Sequence, residues 1–410
     1  MPKIAILAIG DELLNGSLSD TNTAAIARIL ASDGFTLCQS RAVGDTVADI
    51  AEAVQQLADS HDVLITTGGL GPTVDDLTAE AVARACNTET ELNQQAAELI
   101  DTYFKRLGRP KHQRNRKSAI LPIGSAPLKN PRGTAPGFTI ELSGCSIYSL
   151  PGVPDEMAKM VETAVLPKLT ERFGKPHHTP ERVLTLFGIP EPLIEEKLLQ
   201  VGLPDGVDLA FGVAFPLVLV KLRSTQNNAT ELLDLAEQRV ESTYPSEIVA
   251  RGAESIAGAT AALLLQSKQT LSLAESCTGG LIGKMLTDIP GSSGFLERGA
   301  ITYSNNAKID WLNVPEDVLE KEGAVSETVA RLMAEGIRAA TDTDYALAVT
   351  GIAGPDGGTD EKPVGTVFIA RASRDESIVE RYLFAGDRDR IRMRTACAAL
   401  ALLQHRLKAN

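Results

Sequence analysis

From residue 1 to about 170, short apolar runs alternate with runs of helical periodicity. Lys3–Ile9, Thr36–Ala42 and Asp62–Thr67 read as strands, and Asp20–Leu30, Val47–Ala58, Thr73–Cys86 and Glu91–Arg106 as helices. Ile147–Leu150 is a late strand ahead of a helix from Asp155. The order β-α-β-α-β predicts a parallel sheet with helices on both faces, whose ligands sit beyond the carboxyl ends of the strands.

The pattern then changes twice. Gly174-Lys175-Pro176-His177-His178-Thr179-Pro180 is linker-like, and its two adjacent histidines read as solvated linker before they read as a metal site. A strand at Val183–Phe187, a helix near Glu191–Gln200, a strand pair (Asp208–Ala214, Leu217–Arg223) and a helix at Ala229–Ser242 make a small α+β module without a catalytic constellation. From Ser255 a second α/β pattern begins. It has helices at Ile256–Gln266, Ser326–Ala340 and Asp387–Lys408, and strands at Leu271–Ala274, Ala300–Tyr303, Tyr345–Val349, Val364–Ala370 and Ile378–Phe384. The expected domains are therefore 1–170, 171–252 and 253–410.

Composition narrows the chemistry. The chain has 410 residues, with 40 Lys+Arg against 53 Asp+Glu and a net charge of −13. That balance argues against bulk nucleic-acid binding, which needs a positive field to displace counterions. Five cysteines without a C-x-x-C and five scattered histidines give no zinc motif and fit a reducing cytoplasm. Met-Pro-Lys-Ile-Ala runs straight into a strand rather than a secretory leader, and no stretch reaches the ~18 apolar residues of a membrane helix. Ser, Thr, Tyr, Lys, Asp and Arg remain to do chemistry.

In the first part, strand ends carry glycine clusters. Gly10-Asp11-Glu12-Leu13-Leu14-Asn15-Gly16 precedes Asp20-Thr21-Asn22, and Thr67-Gly68-Gly69-Leu70-Gly71-Pro72-Thr73 precedes Asp75-Asp76. Such glycines let backbone approach a phosphate, and the next helix start offers free N–H groups. Asp11, Asp75 and Asp76 are candidates to hold a divalent cation, although an aspartate at a helix start also serves as a plain cap. Lys105, Arg106, Arg109, Lys111, Arg114, Arg116 and Lys117 form a basic run in this acidic chain. It reads as a solvated face, an anion clamp or a subunit contact. No aromatic residue is interleaved for base stacking.

The last part brings four elements. Ala274-Glu275-Ser276-Cys277-Thr278-Gly279-Gly280-Leu281 puts Ser276 at a strand exit, and Gly291-Ser292-Ser293-Gly294 adds two hydroxyls. Tyr303-Ser304-Asn305-Asn306-Ala307-Lys308 follows a strand, and Thr350-Gly351-Ile352-Ala353-Gly354 ends another. Arg388, Arg390 and Arg392 open a long helix, where positive charge opposes the dipole unless an anion binds. His405 is the one histidine in this part, so a serine there depends on Lys, Tyr or a carboxylate for activation. Cys277 is either a second nucleophile or a small buried residue.

These motifs carry a resemblance. Gly10–Gly16, Asp20–Asn22, Thr67–Asp76, Asn130–Gly137 and Leu150-Pro151-Gly152-Val153-Pro154 resemble the amino-terminal domain of the CinA (competence/damage-inducible) family. That domain is similar to the molybdopterin-binding fold of molybdenum-cofactor biosynthesis proteins. The four later elements resemble, in order and spacing, the family's nicotinamide-nucleotide amidohydrolase domain across nearly all of 255–410. The implied fold is a three-domain α/β chain.

The implied reaction is hydrolysis of the carboxamide of nicotinamide mononucleotide (NMN) to the acid with release of ammonia. Its machinery falls on Ser276 or Ser293, with Tyr303 and Lys308, and needs no metal. Substrate contacts fall on Thr278, Gly279, Gly280, Ser292, Thr350, Gly351, Arg388 and Arg392. In the first domain the resemblance implies a nucleotide-diphosphate site on Asp11, Asn22, Gly68, Gly69, Gly71, Thr73 and Asp76. Some members carry a metal-dependent ADP-ribose pyrophosphatase activity, with Mg²⁺ or Co²⁺ on Asp11 and Asp75 and K⁺ as a further candidate. The family also implies a homodimer; the expected partners are small nucleotides, and the acidic charge and short apolar runs argue against nucleic acid and membrane. The alternative is a non-catalytic nucleotide- or pterin-binding regulatory protein.

Overall fold

In the computed structural model, which describes all residues but Arg109, Lys111, His177, His178, Thr179 and Asn410, the chain divides into two units, Met1–His178 and Thr179–Asn410. The His177-His178 pair and two members of the basic run thus lie outside the described residues. Among those described, no helix is long and apolar enough to cross a membrane.

The first unit runs through β1 (Ile4–Ile9), the short α1 (Asp11–Leu14), α2 (Thr21–Ser32), β2 (Leu37–Val43), α3 (Val47–Ala58) and β3 (Val63–Thr67). It continues with α4 (Thr78–Ala85), β4 (Thr90–Leu92), α5 (Gln94–Leu107), β5 (Ile120–Pro122), β6 (Ala126–Leu128), β7 (Gly137–Leu142) and β8 (Cys145–Leu150). α6 (Pro154–Met160) passes through a π-helical turn into α7 (Leu166–Phe173). The main sheet has the order β2-β1-β3-β8-β7-β6. β1, β3 and β8 are buried at every position, as strands covered on both faces must be. The expected parallel pairing holds from β2 to β8, while β7 and β6 extend the edge antiparallel.

Local chemistry sets the helix starts. Asp20 and Thr46 accept from Thr23 N–H (2.9 Å) and Asp49 N–H (3.2 Å) at the heads of α2 and α3. The helix expected from Thr73 begins only at Thr78. The Asp76 carboxylate takes the Thr73 N–H (2.7 Å) and hydroxyl (2.6 Å), holding 73–76 in a turn that competes with helix. Thr78 then ties the start of α4 back to the glycine loop, its N–H to Gly69 O (3.1 Å) and its hydroxyl to Gly68 O (2.8 Å).

The second unit holds two sheets. β9 (Glu181–Leu186), α8 (Glu191–Val201), β10 (Asp208–Ala214), β11 (Leu217–Arg223), α9 (Ala229–Thr243) and β12 (Ile248–Arg251) form an antiparallel sheet, β10-β11-β9-β12, under two helices. Then follow α10 (Ile256–Ser267), β13 (Leu271–Glu275), α11 (Leu281–Thr287), β14 (Leu296–Ile301), α12 (Asn305–Leu312), α13 (Glu316–Glu322) and α14 (Glu327–Thr341). β15 (Tyr345–Gly351), β16 (Thr366–Ala372), β17 (Ser377–Leu383) and α15 (Arg388–Lys408) complete it.

The second sheet has the order β14-β13-β15-β16-β17, parallel across the first three strands and antiparallel beyond. Its core lies on both faces, around α10 and α15 on one side and α14 on the other. β14 begins and ends earlier than the strand expected at Ala300–Tyr303, so Tyr303 stands in the loop beyond it.

Candidate active site

The register of three parallel strands assembles the site in the second unit. Glu275 at the end of β13 pairs with Ile301 on β14 and Val349 on β15. The next residues, Ser276, Thr302 and Thr350, therefore emerge side by side at the carboxyl edge of the sheet, where open α/β sheets bind ligands. Ser304 caps α12 by accepting from Ala307 N–H (3.1 Å), and one turn later that helix returns Lys308 to the strand ends.

Lys308 is 1% exposed. Its Nζ lies 3.2 Å from Ser276 Oγ, 2.8 Å from Thr302 O and 3.5 Å from Tyr303 O. Among the described residues no carboxylate pairs with it, and burial holds its amine below the usual lysine range. Ser276, Cys277, Lys308, Thr350 and Gly351 line a cavity of about 210 Å³, with Tyr303 and Arg388 at its rim. Arg388 donates to Gly354 O (2.7 Å) and Tyr303 Oη (2.9 Å), and both Tyr303 and Arg388 are exposed. Thr350 is buried, its hydroxyl bonded to Ala324 O at 2.7 Å. Burial pushes the neighbouring Cys277 thiol up to about 12, so at neutral pH it is protonated and inert rather than a second nucleophile.

Other expected residues sit elsewhere or do another task. Ser292 and Ser293 form a 3₁₀ turn (Ser292–Gly294) and do not line the cavity. Arg392 is turned away, its Nε and Nη2 donating to Thr278 O at 3.2 and 2.7 Å. The Gly280 N–H is already taken by the Glu275 carboxylate at 3.0 Å. Thr278, Gly279 and Gly280 thus build the turn and are not among the lining residues.

In the first unit a cavity of about 540 Å³ opens at the ends of β1, β3 and β8, lined by Gly68, Gly69, Gly71, Asn22, Asp75 and Asp76 among others. Gly68 has φ +114°, and a Cβ there would lie 2.2 Å from Ile9 O, so only glycine lets the loop pass β1. Asn22 donates to Thr67 Oγ1 (3.0 Å) and Gly152 O (2.8 Å), and among the described residues its buried Oδ1 has no partner. Thr73 stands behind the loop, bonding Asp76. Lys117, alone of the described basic run, reaches this loop, donating to Thr73 O.

Asp11 does not line the cavity. Its N–H donates to Asp45 Oδ2 (2.8 Å) and its carboxylate accepts from Asp45 N–H (3.1 Å). Burial pushes the Asp45 carboxyl above the usual range, and the charges of Asp11, Glu12 and Asp75 push the same way against the Asp11 N–H. Among the described residues no group of three or more His, Cys, Asp or Glu could hold a metal ion.

Two family models match the chain, a probable molybdopterin binding domain over residues 5–171 and the CinA C-terminal domain over residues 253–407. A CinA-like protein of Syntrophotalea carbinolica is 51% identical over 404 residues, covering 98% of each chain. The chain belongs to the CinA family. Another CinA-like protein, from Geobacter metallireducens, is 45% identical over the full length of both. The competence/damage inducible protein CihA from Agrobacterium tumefaciens, a solved structure, is 41% identical over 36% of this chain and 93% of that one, at a TM-score of 0.35.

Sequence reasoning on this CinA-family chain missed Glu275 and Asp45 as site residues. Glu275 stood inside the Ser276 motif, and an acid closing an apolar strand was the available signal. Asp45 follows β2 at the same carboxyl edge as Gly10 and Gly68, where the strand-end rule alone pointed.

Proposed function

We propose that the second unit hydrolyses the carboxamide of NMN to nicotinate mononucleotide and ammonia. The observation that carries this reading is the buried Lys308 amine 3.2 Å from the Ser276 hydroxyl, with no carboxylate among the described residues to keep it charged. A neutral amine has one lone pair and two hydrogens. In the structure Nζ donates to Ser276 Oγ, Thr302 O and Tyr303 O; once neutral, it can keep its two hydrogens on the carbonyls and turn the lone pair to the Ser276 hydroxyl.

Ser276 Oγ attacks the carboxamide carbon while its proton passes to Lys308 Nζ, and the carbonyl π bond becomes an oxyanion. Collapse breaks the C–N bond, and Lys308 returns the proton to the departing ammonia, leaving an ester on Ser276. Water then adds, giving a proton to Lys308, and Ser276 leaves with that proton to free the carboxylic acid. Cys277 and Thr350 flank the reacting group, while Arg388 at the rim is placed for the nucleotide phosphate. Incubation of the full chain with NMN tests this directly. Ammonia release that vanishes in Lys308→Ala supports it, and a wild-type chain giving no ammonia removes it.

For the first unit we infer a nucleotide-diphosphate pocket, with ADP-ribose as the candidate ligand, supported by the glycine loop at Gly68–Gly71 and the unsatisfied Asn22 Oδ1. Hydrolysis of ADP-ribose with and without added Mg²⁺, Co²⁺ and K⁺ separates a catalytic pocket from a binding one. Ligand-induced stabilisation without turnover in either unit would favour the regulatory alternative.

A further inference from the structure

Glu275 is buried to 3% exposure at the end of β13, directly before the nucleophile. Its Oε2 accepts from Gly280 N–H (3.0 Å) and Ile282 N–H (3.2 Å), and its Oε1 from Gly283 N–H (2.8 Å). The carboxylate therefore occupies the donors at the start of α11, which otherwise would be the natural anion site of a Ser-Gly-Gly turn. On the other side of the same turn Arg392 holds Thr278 O, and within it Gly279 N–H bonds Ser276 O at 3.1 Å. Among the described residues, the N–H groups of Cys277 and Thr278 bond to no other residue, and Cys277 lines the cavity.

We infer that Glu275 is a positioning residue of the amidase. Its carboxylate closes the Ser276–Gly280 turn from inside and bars the substrate phosphate from the α11 start. The Cys277 N–H is thereby left to meet the oxyanion that forms when Ser276 attacks. This rests on the amidohydrolase reading above. The N–H of the residue after a nucleophile serves an oxyanion only when the turn is held rigid, because donors that must reorient at the moment of reaction lose most of their value. A neutral amide in place of Glu275 keeps one acceptor but turns an NH₂ toward a backbone donor, so the turn loosens without a cavity being made.

The test compares the full-length wild type with Glu275→Gln and Glu275→Ala, measuring kcat and KM for ammonia release from NMN alongside thermal unfolding. It also measures the affinity of the NMN analogue bearing an aldehyde in place of the carboxamide, whose adduct with Ser276 needs the same oxyanion donor, against that of the product acid. For Glu275→Gln we expect kcat to fall about 10²-fold with KM within about twofold. Aldehyde affinity should fall in parallel, and product-acid affinity should stay unchanged. If Glu275→Ala fails to fold, Glu275→Gln carries the comparison alone. A folded Glu275→Gln with kcat within about twofold of wild type overturns the inference, as does a loss shared equally by aldehyde and acid. A wild-type chain without ammonia release overturns the amidohydrolase reading instead.

Discussion

Lys308 Nζ sits 3.2 Å from Ser276 Oγ, 32 positions away in sequence, brought there by the parallel pairing of β13 with β14 and the first turn of α12. A lysine buried without an acid is costly unless it is neutral, and a neutral amine beside a hydroxyl is a base. Ser276→Ala and Lys308→Ala should each lower kcat for NMN by about 10²–10⁴-fold. Ser293→Ala, whose side chain lies outside the cavity, should stay within about twofold of wild type. Initial-rate ammonia assays on the three variants decide between the two serines.

The same lysine sets the pH dependence. Only the neutral amine accepts the Ser276 proton, so kcat/KM should rise with pH and level off above the Lys308 pKa. Burial moves that limb below the ordinary lysine value of 10.5. Stability follows with the same sign. Between the lowered folded pKa and the unfolded pKa the unfolded chain binds the extra proton, so stability rises with pH through this window and the burial penalty is complete below it. Lys308→Met, apolar and of similar length, should abolish activity yet raise Tm at neutral pH. The rise should be about 2–4 °C for each ~1 kcal/mol of penalty relieved. A pH–rate profile and melting curves of the two proteins check both halves.

Arg388 is exposed at the rim and already donates to Gly354 O and Tyr303 Oη, so its guanidinium is aimed without being buried. A charge-assisted bond to phosphate contributes about 1.5–3 kcal/mol. Arg388→Ala should therefore raise KM for NMN by at least about tenfold, while kcat/KM for the dephosphorylated nucleoside should change little. Equal losses on both substrates would move the phosphate elsewhere. Arg392, spent on Thr278 O, is not expected to discriminate between them.

Much of this arrangement was legible beforehand, because buried parallel strands and capped helices write strong local patterns. Val47–Ala58, Asp208–Ala214 and Leu217–Arg223 run between the residues that periodicity named. The Ser276, Tyr303, Lys308, Thr350 and Arg388 set lines one cavity because each follows or faces the end of a strand in one sheet. The divergences arise where side chains compete with backbone. Asp76 stops α4 short of Thr73 by taking that residue's N–H, and Asp11 turns to Asp45 instead of the pocket. Arg392 and Glu275 show the same limit from the other side. Charge at a helix start reads as a ligand signal in sequence, whereas here Thr278 O and the α11 amides satisfy it internally.

Gly68 offers a test of the first unit that leaves Ser276 and Lys308 untouched. The loop leaves β3 at Thr67 with φ +114° at Gly68, and a Cβ added there would lie 2.2 Å from Ile9 O. Gly68→Ala carries both the backbone strain, about 1–3 kcal/mol, and a contact with a main-chain oxygen on a fully buried strand that cannot yield. Calorimetry of the full chain should show a lowered transition, and ADP-ribose binding should weaken because Gly69 and Gly71 shift with the loop. Ammonia release from NMN should remain within about twofold, since Ser276 and Lys308 belong to the other unit. Intact ADP-ribose binding in a destabilised Gly68→Ala chain would take the glycine loop out of the nucleotide pocket.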